Sequence, residues 1–327
     1  MKSINSSKIL TIPAEGSIAI TLRNDLMFHH VMQTSNSALR ALICATKGLK
    51  SSEIKDVAVK NPIEIDESVS NEIILDVLVT LNNDENIDIE LQLYYDKDWI
   101  RRSLLYLCRT YDSSMTISDE NERKYEKLKA TTLIAIIDKN VCFNSDEFYS
   151  HYCMINTKTH AKYSSLLNIN VLNLSQIELA TNEDINSGLT GWAQLFNARN
   201  WEDVNTIVSD FPFLKEVAII MYEANADIKS RSLMRAHEEY LTRVYNAEYR
   251  MQKVEEKAAK DVQEAREKAE KDVQEAREKA EKDIQEVREK AEKDIQEARE
   301  ESKQALQEAN SKIAELEAKL KAANIEY

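Results

Sequence analysis

Asp76, Glu90 and Gln92 are oxygen-bearing side chains set close together in the sequence, a set that could hold a hard cation. They fall in two alternating runs, 72–81 and 87–93, separated by the turn-like stretch 82–86 (NNDEN). Alternation predicts two short strands. In the first, Ile73, Leu75, Val77, Val79 and Leu81 share a face, which leaves Asp76 on the other. In the second, Ile87, Ile89, Leu91 and Leu93 share a face and Asp88, Glu90 and Gln92 take the opposite one. A turn centred near Asp84 puts Asp76 opposite Gln92 and diagonal to Glu90. Two carboxylates at that spacing repel unless a cation lies between them, and such ligands suit Mg²⁺ or Mn²⁺. The same alternation also describes a half-buried hairpin whose polar residues are simply its wet face. Asp76 favours the metal reading, because it interrupts an apolar run where an unpaired carboxylate is costly.

The segments that carry these residues resemble a known family. Leu22-Arg23-Asn24-Asp25-Leu26-Met27-Phe28, then Ile74-Leu75-Asp76-Val77, then Ile87-Asp88-Ile89-Glu90-Leu91-Gln92 resemble the PD-(D/E)XK nuclease family transposases, also called the Rpn family of recombination-promoting nucleases. Trp99 to Tyr106 looks like the family's Arg-x-x-x-Tyr helix, with Arg102 and Tyr106 in the two places. Tyr125-Glu126-Lys127-Leu128 and the apolar 133–137, and later Ile177-Glu178-Leu179, are similar to further family passages; the likeness runs from about residue 15 to 250.

The resemblance implies an α/β fold, a restriction-endonuclease-like core with a mixed sheet flanked by helices, followed here by a long C-terminal helix or coiled coil. It implies a metal-dependent DNA endonuclease linked to recombination or transposition. Asp76 and Glu90 would be the metal-binding acids, joined by the Leu91 carbonyl, with Mg²⁺ or Mn²⁺ as the ion. Gln92 stands where the family name has Lys. A glutamine gives a neutral hydrogen bond where lysine gives a charge-assisted one, which shifts water activation onto the metal. Asp25 matches an acid of the opening motif and would reach the site. Arg102 and Tyr106, one turn apart, would contact the phosphate backbone or support the site, or would form a buried polar pair closing the helix on the sheet. The competing reading is a catalytically decayed nuclease fold acting as an oligomeric coiled-coil scaffold.

Composition sets limits on these readings. The chain has 327 residues with only four Gly and three Pro, which fits a helix-rich protein. No apolar run is long enough for a transmembrane helix, and the first residues lack a signal-peptide layout; a cytoplasmic protein without a membrane partner is expected. Cys44, Cys108, Cys142 and Cys153 have no zinc spacing and read as small buried apolar residues. His29 or His30 could approach the site beside Asp25, but a surface histidine is the favoured reading. The net charge is −14, divided as −5 from Met251 to Tyr327 and −9 on the rest. DNA contact would therefore need a local basic patch, with Lys97, Arg101, Arg102, Arg109, Arg123, Lys124, Lys127 and Lys129 as candidates.

Helices are expected at 25–32, 37–46, 98–115, 182–197 and 203–225, and strands at 55–60, 131–137, 151–155 and 169–173 besides the hairpin. Trp192, Phe196 and Trp201 read as core anchors. The sequence divides into a nuclease-like domain, 1–227, and a helical tail, 228–327. Within the tail an 11-residue unit beginning at Lys257 recurs at Lys268, Lys279 and Lys290, filling 257–300. Its apolar positions are spaced 4, 3, 4, which predicts a nearly straight or right-handed supercoil. After Ser302 the spacing of Leu306, Ala309, Ile313, Leu316 and Leu320 is a left-handed heptad. The tail reads either as a homo-oligomerising coiled coil or as a solvated single helix held by i,i+4 charge pairs.

Overall fold

The computed structural model describes residues 11–60, 77–82, 85–113, 125–139 and 146–322. Contacts divide the chain into two units, Met1–Met251 and Gln252–Tyr327. In the first unit six strands form one mixed sheet: β1 (Val57–Val59), β2 (Val77–Leu81), β3 (Glu85–Gln92), β4 (Ala130–Ile137), β5 (Tyr149–Ile155) and β6 (Lys162–Asn173). Their order is β1-β2-β3-β4-β6-β5, with β3–β4 and β4–β6 parallel and the other pairs antiparallel. Helices flank the sheet: α1 (Asp25–Thr34), α2 (Asn36–Lys47), α3 (Trp99–Ser113), α4 (Asn182–Ser187), α5 (Leu189–Asn197), α6 (Trp201–Asp210), α7 (Lys215–Ala226) and α8 (Ile228–Ala322). This is the mixed α/β core that the resemblance implied.

The two faces of the sheet are covered differently. Ile87 and Ile89 join Val77, Val79, Ile134, Ile136 and Leu172 in the main core, with Leu26, Leu39 and Leu42 of α1 and α2. Trp192 and Phe196 are fully buried there and Trp201 nearly so, as core anchors should be. On the other face α3 packs Trp99 against Ala135, Ile137 and Val171. That face of β3 carries Asn86, Asp88, Glu90 and Gln92, and all four are buried. The wet-face reading of the hairpin is overturned, because α3 shields these polar side chains from water.

The hairpin register also differs from the expected one. Leu81 pairs with Glu85 and Val77 with Ile89. The strands thus slide by two positions relative to a turn centred on Asp84, since Glu85 and Asn86 enter β3. A two-residue shift keeps every side chain on its predicted face. Asn82 opens the turn with φ of 51°, a left-handed conformation that asparagine tolerates. Asp76, together with the rest of 61–76, lies outside the described residues.

Two of the expected helices are broken, each at an identifiable residue. The 182–197 segment splits at Gly188, whose φ of 87° suits glycine and ends α4 in a left-handed cap. The 203–225 segment splits at Pro212, which cannot continue a helix and starts a short 3₁₀ turn before α7. The cysteines depart from the expected burial. Cys108 is exposed and Cys44 and Cys153 are half-buried, while Cys142 is outside the described residues.

The long helix begins at Ile228, where the sequence places the tail, but its first turns belong to the first unit. Met234, His237 and Leu241 are buried at spacings of three and four. From Lys253 to Ala322 every residue is exposed. No helix among the described residues is long and apolar enough to cross a membrane.

Candidate active site

The end of β3 and the start of α1 meet at a cavity of about 30 Å³, room for a water or a bare ion. It is lined by Asp25, His29, Glu90, Leu91, Gln92, Tyr94, Arg102 and Tyr245, with Phe28, Val77 and Ile89 as its apolar wall. Five residues singled out from the sequence therefore converge: Asp25, Glu90, Leu91, Gln92 and Arg102. Tyr106 does not line the cavity. It stands beside Arg102, whose guanidinium carbon is 5.8 Å from its ring centroid and 5.6 Å from that of Trp99.

Each side chain is held by its element. Asn24 caps α1, accepting the Met27 N–H at 3.1 Å while its own amide donates to the Met234 carbonyl at 2.9 Å. This bond ties the start of α1 to α8 and sets Asp25 in the first turn. A carboxylate there normally gains from the helix dipole. Burial reverses that preference and the Glu238 carboxylate adds to it, so Asp25 is pushed up to about 7.

Arg102 organises the opposite wall. It reaches from α3 to donate to the Gln92 side-chain oxygen, pairs with Asp96 at 2.9 Å, and lies 3.7 Å from Glu90. Burial works against its charge, but the Glu90 and Asp96 carboxylates outweigh it and hold the guanidinium firmly protonated. The Gln92 amide donates to the Tyr94 carbonyl at 2.9 Å. Both ends of Gln92 are thus engaged by protein. A positive charge thus stands beside the glutamine side chain, brought by Arg102 from α3.

Further along β3, Asp88 accepts from Thr110 of α3 at 3.2 Å. Burial pushes it up to about 6, against the pull of that hydrogen bond.

Several residues that line or brace the cavity were not singled out from the sequence. Tyr94 stacks on Tyr245 with ring centroids 4.8 Å apart, and Tyr95 meets Tyr249 edge-on at 5.1 Å. Burial raises both Tyr94 and Tyr245 to about 12, so each keeps its hydroxyl proton. The available signal was the Tyr94-Tyr95 pair facing Tyr245 and Tyr249 at helical spacing. His29, for which the surface was the favoured reading and approach to the site the alternative, is buried and lines the cavity. Of the candidate basic patch, Lys97, Arg101 and Arg109 are exposed, while Arg123 and Lys124 lie outside the described residues.

The cavity's donor set, two carboxylates with amide and backbone oxygens nearby, fits a hard divalent cation. No group of three or more His, Cys, Asp or Glu able to hold a metal occurs among the described residues.

A mixed sheet with a buried acidic cavity at one strand end, closed by a helix carrying arginine, defines a nuclease-type α/β core. The family model of PD-(D/E)XK nuclease family transposases matches residues 22–247, and the chain belongs to that family. The match ends within the packed part of α8 and includes Tyr245. Membership gives the protein a nuclease- or transposase-related function. No curated protein and no solved structure matches the chain.

Proposed function

We propose that the protein is a divalent-metal-dependent endonuclease that hydrolyses DNA phosphodiester bonds during recombination or transposition of mobile DNA. The observation that carries this reading is the convergence of Asp25, Glu90, Leu91, Gln92 and Arg102 on one cavity in a chain of this family. Asp76 precedes Val77 by one peptide, about 3.8 Å between Cα atoms. Val77 pairs with Ile89, the neighbour of Glu90. That adjacency supports Asp76 and Glu90 as the acids that hold Mg²⁺ or Mn²⁺, with the Leu91 carbonyl completing the set. The ion, when bound, polarises the phosphate and lowers the pKa of an attached water.

The protein's own groups do the rest. Arg102 is fixed in place to neutralise charge on a non-bridging phosphate oxygen as it develops. Gln92 and Tyr106 position Arg102, the first through its side-chain oxygen and the second through its ring. Asp25, whose carboxyl is held above the ordinary carboxylate range by burial and by Glu238, is placed to return a proton to the departing oxygen. The Tyr94–Tyr245 stack excludes bulk water from the cavity.

Plasmid nicking in Mg²⁺ or Mn²⁺ tests the proposal. Cleavage by the intact chain, lost in Asp76→Ala and in Glu90→Ala while circular dichroism stays native, is the expected result. Equal cleavage by those variants would remove it.

A second reading has an observation of its own. Arg102 engages Gln92, Asp96 and Glu90 together, as a structural ion network in a decayed site would. Calorimetry separates the two, since a decayed site takes up no Mn²⁺. In either case we read the tail as a homo-oligomerising coiled coil.

A further inference from the structure

The exposed part of α8 presents one apolar stripe along its length. Val262, Val273, Ile284, Val287, Ile295, Leu306, Ile313 and Leu316 are all at least 53% exposed on it. A continuous stripe of this kind marks a protein–protein contact. The charges beside it select the occupant.

In each repeat an Asp immediately precedes the larger apolar residue: Asp261, Asp272, Asp283 and Asp294. An Arg immediately follows the next apolar position: Arg266, Arg277, Arg288 and Arg299. At 3.67 residues per turn these two positions lie about 65° to either side of the centre of the stripe. The charges nearest the stripe are therefore aspartate on one flank and arginine on the other, with Lys268, Lys279 and Lys290 farther out on the aspartate side and Glu270, Glu281 and Glu292 farther out on the arginine side. The ion pairs made within the helix use other positions, such as Lys260 with Glu264 at 3.7 Å and Lys293 with Glu297 at 3.8 Å. No ion pair within the helix involves these aspartates and arginines among the described residues.

We infer that the tail pairs with a second copy of itself as a parallel, in-register two-stranded coil. In a parallel pair each flank faces the opposite flank of its neighbour, so Asp272 meets the Arg277 of the second copy. Their separation of five residues is the offset by which flanking charges pair in parallel coiled coils. An antiparallel pair sets the charges nearest the stripe like against like, aspartate against aspartate and arginine against arginine, and is disfavoured at those inner positions. The repeats alone tolerate a slip of 11 residues. The register is fixed by what breaks their uniformity: Val287, where the other units have Ala, and the heptads from Leu306 to Leu320. The Gln252 ends of both copies then lie side by side.

This inference rests on reading the tail as self-associating, and each part of its test addresses a different claim. Sedimentation equilibrium of the full chain should give a dimer, twice 37.6 kDa; a monomer at tens of micromolar overturns the association itself. Replacing the four arginines by Glu should weaken the dimer roughly 100-fold or more through repulsion along the seam. The same change of charge at Lys260, Lys271, Lys282 and Lys293, which point away from the stripe, should leave it associated. Equal effects of the two sets overturn the flank pairing. Air oxidation of an Ala276→Cys variant should give a 276–276 disulfide by peptide mapping. A dimer that never forms it is antiparallel or out of register, and the inference fails. Nuclease activity enters none of these readouts.

Discussion

Residues 228–251 and 252–322 belong to one uninterrupted helix, yet they are held by different physics. The first stretch is helical because Met234, His237 and Leu241 are buried against the core, and its Tyr245 lines the cavity. The second buries nothing in the single chain, and its side chains bond along the helix, Gln263 to Glu267 and Gln274 to Glu278 among them. Intrinsic propensity and i,i+4 pairs sustain that part alone. The irregular stretch is therefore the one packed beside the cavity, whereas the regular one leaves its apolar stripe exposed. Repetition in a sequence marks geometry, and irregular apolar spacing marks a particular neighbour.

The contrast predicts unequal responses to substitution. The largest lies at the cavity. Glu90→Gln keeps the shape of a side chain that is almost wholly buried but removes its charge, and should lower the nicking rate roughly 1,000-fold. Unchanged cleavage would mean that the packed region serves some other chemistry. Next comes the anchor of the first stretch. Met234 is fully buried, so Met234→Ala should cost about 2–5 kcal/mol in urea denaturation and loosen the Tyr94–Tyr245 stack with it. A loss under about 1 kcal/mol would show that the packed part of α8 does not hold the domain together.

Asp25 gives a smaller effect with a definite sign. Its folded-state value of about 7 lies above the usual 3.8. The unfolded chain therefore loses this proton first as pH rises. The group's contribution is intact below pH 3.8, is lost progressively up to about pH 7, and is level beyond. Asp25→Asn, with no proton to lose, should leave the protein more stable than wild type at pH 8 in EDTA. The gain is about 1–3 kcal/mol, reduced from the full shift because the residue is partly solvated. The two proteins should converge near pH 4. A difference that grows as pH falls would contradict the buried acidic setting.

Much of this was legible in the sequence and the remainder was hidden for physical reasons. Alternation assigned the faces of β3 correctly, because side chains in a strand alternate whatever covers them. It could not say that α3 would cover the polar face, since burial of Asp88, Glu90 and Gln92 depends on residues some ten to twenty positions away. The family motifs led to Asp25 and Arg102. They gave no warning that Gln92 would steer Arg102, because that contact joins a strand to a helix face and leaves no periodic trace. Helix breaks at Gly188 and Pro212 were visible as residue types and were overrun by favourable apolar spacing on both sides. The contribution of Tyr245 was masked because it lies in the segment read as tail, where nothing in local composition separates a packed turn of helix from a free one.

The smallest expected effect falls in the exposed stretch, and it is the one that sharpens the comparison most. Val273 is 53% exposed. Truncation to Ala removes two methyl groups from the stripe and slightly improves helix propensity. The melting transition of the first unit should then stay where it is, because surface changes away from packed features alter stability by no more than about 0.5 kcal/mol. In dilute protein Val273→Ala and wild type should be indistinguishable by calorimetry. If the tail pairs with a second copy as inferred above, the variant should separate from wild type at high concentration in the helical signal of the tail alone. A shift of the first unit's transition in dilute solution would mean that the exposed stretch is energetically continuous with the packed one, and the division of α8 at Met251 would have to be abandoned.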